Sequence, residues 1–200
     1  MSILQSKGTT AASNGTLTAI AVGCVLSGIG AAAYMGSIAF DPGLSPREWA
    51  STTFSTALGA VTTLGVVILA LALARWRTTL PTWALLGAAA ALVIVAANAW
   101  FYATGIRAVS DHTADQEFER LMFNAPWLLI GMSLPRMILG LVSFITLAVV
   151  GWRQRSLPRS SCAVLVLAGL FSLWPMYPPQ LLLASIAFFI ASRSAQAAHD

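Results

Sequence analysis

TWALLGAAAALVIVAANAWFYATG, residues 82–105, is the stretch on which the fold turns. It follows Pro81, carries no charged residue, and exceeds the roughly 20 apolar residues a helix needs to cross the hydrocarbon of a bilayer. A soluble helix has no use for so long a run without a polar face. The composition around it agrees, with 58% hydrophobic and 9% charged residues in a chain of 200. Soluble domains carry roughly 25% charged residues, so the natural solvent for this chain is lipid.

Working outward, the same pattern recurs on both sides. An apolar segment from Thr16 to Phe40 closes at Asp41-Pro42-Gly43, and Ser45-Pro46-Arg47-Glu48 then has the form of a helix start: a capping serine, a first-turn proline and an acid at the positive end. A second span follows over 49–74 and ends at Arg75-Trp76-Arg77. Beyond residue 105 the connection from Ile106 to Arg120 is polar and belongs in water. Leu121 to Trp152 is too long for one straight span and is broken by Pro126 and Pro135, with Ser133-Leu134-Pro135 resembling a cap and first turn. The expectation is a surface helix and turn over 115–132, then a span over 134–152. Pro175-Met176-Tyr177-Pro178-Pro179 divides the last apolar part into a hairpin of two short segments, 160–175 and 178–193. The chain therefore reads as one all-α membrane domain of about six spans, at 16–40, 49–74, 82–105, 134–152, 160–175 and 178–193.

Orientation follows from the basic residues, which accumulate on the cytoplasmic side. With both termini cytoplasmic, Lys7, Arg75, Arg77, Arg153, Arg155, Arg159 and Arg193 lie inside and Arg47, Arg107, Arg120 and Arg136 outside, seven against four. All acids except Asp200 fall on the outer side. Tryptophan favours the interface, and Trp76, Trp83 and Trp152 would mark the inner boundary while Trp49, Trp100, Trp127 and Trp174 mark the outer one. Small residues in stripes, Gly28, Ala32 and Gly36 in the first span and Ser55, Gly59 and Thr63 in the second, offer faces on which an antiparallel pair can meet closely.

The chemistry legible in the residues is sparse. Cys24 and Cys162 lie in apolar runs and form neither a metal-binding spacing nor a disulfide framework. His112 and His199 both lie outside the spans, so intramembrane haem ligation is not indicated, and no zinc, phosphate-loop or serine-elbow motif occurs. No cofactor is implied, and the basic residues obey topology with no stripe for nucleic acid. Arg136 is the one ionisable residue near a span interior, by default a site candidate. A span starting at Leu134 lets its guanidinium snorkel to the outer surface, which the cap-like Ser133 and Pro135 favour. Asn98 and Tyr102 share a face of the third span, and Asn98 reads first as an interhelical hydrogen-bonding group. Asp111, His112, Asp115, Glu117 and Glu119 form the only titratable cluster, whose acids also suit the first turn of a surface helix. Should these converge, Arg136, Asn98, Tyr102, Asp115 and Glu117 would line one outward-facing polar pocket above an apolar bundle.

Two likenesses bear on function. Six short spans with both termini inside resemble, in architecture, the substrate-binding subunits of vitamin importers. Pro42-Gly43-Leu44 after the first span, and Trp127 with Arg136 ahead of the fourth, are similar to scattered residues of four-span membrane proteins of the anthrone-oxygenase type, with the final hairpin outside that likeness. The first implies a binder of an apolar or amphipathic small molecule or the membrane subunit of a transport complex. The second implies an enzyme acting on a lipid-soluble substrate. A structural partner subunit with no ligand is the third reading. Membrane lipid, and other membrane subunits, are the expected partners in a cell membrane.

Overall fold

A chain in hydrocarbon must satisfy its backbone polar groups internally, which leaves helices as the solution for segments of this composition. The computed structural model describes residues 14–40, 45–76, 78–123, 131, 133–174 and 176–197. Eight helices are found among them: α1 (Asn14–Phe40), α2 (Pro46–Ser51), α3 (Thr53–Arg75), α4 (Thr82–His112), α5 (Asp115–Phe123), α6 (Leu134–Gln154), α7 (Arg159–Phe171) and α8 (Pro178–Ala197). Four of them, α1, α3, α4 and α6, are long and apolar enough to cross a membrane. By architecture this is a membrane protein.

Helices α1, α3, α4, α6, α7 and α8 each pack on the next in chain order, and α8 closes back on α1. The resulting ring explains where the polar groups went. Ser27, Thr62, Asn98, Arg136, Ser161, Gln180 and Ser185 are buried, while Leu64, Leu71, Val93, Ile138, Val142, Leu167 and Ile186 are exposed. Lipid tails are as apolar as leucine, so helices meet through small and hydrogen-bonding groups and leave their bulky aliphatics outward. Ser27 Oγ and Ser185 Oγ, 2.8 Å apart, join α1 to α8, and Ser161 Oγ donates to the Ala187 carbonyl at 2.7 Å to join α7 to α8.

The closest approach is between α1 and α3. A Cβ on Gly23 would stand 2.7 Å from the Leu69 nitrogen, and one on Gly65 would stand 2.5 Å from the Ser27 nitrogen, so backbone lies against backbone there. The two expected stripes do not meet each other. Gly28 faces Ser185 and Leu182 of α8, and Gly59 faces Ala103 of α4. A helix in a ring has two neighbours, and the stripes serve different ones.

Several boundaries differ from the sequence reading for local reasons. Ser45 caps α2 with a full capping box, its hydroxyl accepting from the Glu48 amide and its own amide donating to Glu48 Oε2. The chain breaks at Thr52, whose extended backbone and side-chain bond to the Ser55 amide start α3 afresh. The second long helix thus begins at Thr53, and Trp49 belongs to α2. Helix α4 continues past Gly105 to His112, so the first part of the expected water-exposed loop is helical. Ser133 makes no side-chain cap bond, although α6 does start at Leu134 with proline in its first turn. Helix α7 has 13 residues, but Ser172, Leu173 and Trp174 amides extend its hydrogen bonding by a 3₁₀-like turn. With that turn it reaches about 24 Å at 1.5 Å per residue, still short of a hydrocarbon core of about 30 Å. Trp83, Trp100, Trp152 and Trp174 are exposed as interfacial residues would be, whereas Trp76 is buried and Trp49 half-buried, its indole donating to Ser37 Oγ at 3.0 Å. Asn124, Pro126 and Trp127 lie outside the described residues.

Candidate functional site

Three helix ends meet around Arg136. It is the third residue of α6, Gln180 the third of α8, and Trp174 the last hydrogen-bonded residue of the turn that ends α7. The guanidinium donates from Nη1 to Gln180 Oε1 at 2.9 Å and from Nη2 to the Trp174 carbonyl at 2.7 Å. The last carbonyls of a helix have no partner within it and carry the negative end of its dipole, so a cation set there both caps and neutralises α7. This is a correction to the snorkelling expectation. Helix α6 starts where expected, yet Arg136 is only 1% exposed, because carbonyl and amide acceptors are offered sideways by the neighbouring hairpin.

Gly140, one turn along α6 from Arg136, makes room for this arrangement. A Cβ there would collide with Gln180 Nε2 and Ser172 Oγ. Gln180 is fully buried, and its Nε2 has no hydrogen-bond partner among the described residues. A buried amide donor left without an acceptor costs about 1–3 kcal/mol, so a group in its position calls for an explanation.

The three tyrosines of the chain converge at the same end. Tyr34 of α1 and Tyr102 of α4 both pack on Tyr177, which precedes α8, with ring centroids 5.8 Å and 5.9 Å away. Tyr34 also stands edge-on to Trp49 at 4.7 Å, and Tyr102 edge-on to Phe101 at 6.3 Å. Tyr102 lies within electrostatic range of Arg136. The result is a patch of aromatic walls and hydrogen-bond donors built from α1, α4, α6 and the α7–α8 connection. Buried polar residues among those described include no acid.

Of the residues singled out from sequence, Arg136 and Tyr102 lie within electrostatic range of each other. Asn98 is buried one turn deeper on α4 and donates to the Ile94 carbonyl of its own helix at 2.9 Å. Glu117 is exposed on α5, as are Asp111 and His112 at the end of α4, and Asp111 faces Arg107 at 3.9 Å. The Asp115 and Glu119 side chains lie outside the described residues. Helix α5 is held by Phe118, buried against Ala50 and Ile106, while Glu117 on the same helix is exposed. Among the described residues no group of three potential metal ligands occurs. Tyr34, Tyr177 and Gln180 were not singled out. The signal for Gln180 was present: an uncharged polar residue directly after Pro178-Pro179 at the head of an apolar run. No family model, curated protein or solved structure matches the chain.

Proposed function

We propose that this chain is a six-span protein of the cell membrane, with both termini cytoplasmic, that binds a small amphipathic molecule at its outer end. The molecule's hydrogen-bond acceptor enters beside Arg136 and Gln180, and its apolar part rests on Tyr34, Tyr102 and Tyr177. The observation that carries this reading is the buried Gln180 Nε2, a donor without an acceptor beside a buried arginine. An intramembrane cation is costly, and such groups are retained where they meet a ligand, an ion or a fixed partner. The orientation is supported by Arg75, Arg153, Arg155, Arg159 and Arg193 at one end of the ring. The crossing of α7 and α8 is supported by their exposed apolar faces, Leu167, Leu170, Ile186 and Phe189.

The same group of residues serves a free-standing binder or the membrane subunit of a transport complex, and a co-purifying protein separates the two. The test is mass spectrometry of small molecules retained by wild type, Tyr102→Phe, Gln180→Leu and Glu117→Ala, each checked for folding in detergent. The expected result is a compound held by wild type and Glu117→Ala and lost from folded Tyr102→Phe or Gln180→Leu. If all four carry the same molecules, Arg136 and its partners are a structural brace and the chain is a partner subunit.

A further inference from the structure

At the opposite end of α6 lies a second site. Arg153 is 17 residues beyond Arg136 on that helix, about 26 Å at 1.5 Å per residue. The turn from α6 to α7 encloses a cavity of about 500 Å³ lined by Trp152, Arg153, Arg155, Leu157, Pro158 and Arg159. Three arginines, and no acid among the described residues, line it. Arg159 lies over the Trp152 ring with its guanidinium carbon 5.5 Å from the centroid, which fixes its plane at the mouth. Arg159 is also the first residue of α7, whose N-terminus has no side-chain cap, so backbone amides with the positive end of the helix dipole add to the field.

A second cavity of about 220 Å³ has Trp152 and Arg153 in its lining as well. Ala148, Val149, Cys162 and Val166 line this one, a small-residue groove between α6 and α7 that runs from the arginines along the apolar flank. A basic recess at a tryptophan-marked boundary, with an apolar groove beside it, has the chemistry of a phosphate headgroup with an acyl chain.

The backbone supplies an independent sign. Arg155 has φ 54° and ψ 30°, the left-handed conformation at the end of α6, and no other non-glycine residue among those described has positive φ. Glycine is the usual occupant of that position because it carries no Cβ. An arginine held there, against backbone preference, is a side chain retained for what it does.

We infer that the α6–α7 turn is a binding site for an anionic phospholipid of the adjoining leaflet, its phosphate held by Arg153, Arg155 and Arg159 and one acyl chain lying in the groove beside Cys162. The site is independent of the pocket at Arg136. It is tested by native mass spectrometry of the purified protein titrated with phosphatidylglycerol, phosphatidylcholine or inorganic phosphate, for wild type, Arg155→Gly and Arg155→Gly/Arg159→Gln. Each arginine near a headgroup phosphate contributes roughly fivefold in affinity. Phosphatidylglycerol binding is therefore expected to fall about fivefold in the single variant and about 25-fold in the double. The melting temperature of Arg155→Gly should equal or exceed that of wild type, because glycine relieves the backbone. Equal affinity for phosphatidylcholine in wild type, or unchanged phosphatidylglycerol binding in a folded double variant, overturns the inference. Inorganic phosphate displacing the lipid at equal concentration also overturns it, since the groove would then contribute nothing.

Discussion

Replacing Arg136 and Gln180 singly and together decides whether the guanidinium is bound inside the ring or reaches past it to water. Arg136→Met keeps an unbranched apolar stem but removes the guanidinium, and so leaves Gln180 Oε1 and the Trp174 carbonyl without the donors they have at 2.9 Å and 2.7 Å. Gln180→Leu removes one acceptor from the cation and, at the same time, the unpartnered Nε2. In the double variant the shared bond is absent from both sides, while the Trp174 carbonyl remains deprived. Interhelical hydrogen bonds in membranes average about 0.6 kcal/mol in double-mutant cycles, and an ionised donor roughly doubles the strength of such a bond. The coupling energy is therefore expected at about 1–2 kcal/mol, with the double variant more stable than the sum of the singles predicts. The assay is equilibrium unfolding in mixed micelles, where this coupling appears as a departure of roughly 5- to 30-fold from additive unfolding constants. A coupling below about 0.5 kcal/mol, the scatter of independent sites, would refute the reasoning and return Arg136 to the membrane surface.

Two further outcomes follow from the geometry. Gly65→Ala should lower stability by about 1–3 kcal/mol, because its Cβ would press on the Ser27 nitrogen at 2.5 Å and the Leu26 Cβ at 2.7 Å. Gly28→Ala, whose nearest neighbour would be the Ser185 Cβ at 3.4 Å, should stay within about 0.5 kcal/mol of wild type, and thermal unfolding in detergent ranks the two. For orientation, an impermeant maleimide applied to intact cells should label Gln116→Cys directly and Ser160→Cys only after permeabilisation, the reverse pattern meaning the inverted topology. Cys24 at 3% and Cys162 at 2% exposure contribute no background to that measurement.

The ring of helices stabilises itself through contacts that a linear pattern cannot rank. Gly28 and Gly59 were visible as small residues, but which neighbour each would meet depended on the turn angles that close α8 onto α1. Arg136 shows the same limit more sharply. The residue and the start of α6 were readable, and the direction of its side chain was not. That direction was set by Gln180, 44 residues away, and by a carbonyl that only became available because α7 ends at Trp174. The exposure of Glu117 depends likewise on Phe118, which anchors α5 in a packing event between α2, α4 and α5.

What the sequence by itself determined is the solvent and the class of structure: runs of apolar residues longer than a soluble helix needs, punctuated by prolines and arginines, leave a bundle of hydrogen-bonded helices in lipid as the only way to satisfy the backbone. What only the tertiary structure decided is which polar groups face one another inside that bundle. Hydropathy constrains each segment separately and almost without regard to rotation about its axis, since large apolar side chains lie on every face. The meeting of Tyr34, Tyr102, Tyr177, Gln180 and Arg136 at one end, and of three arginines around an apolar groove at the other, depends on those rotations and on the closure of the ring.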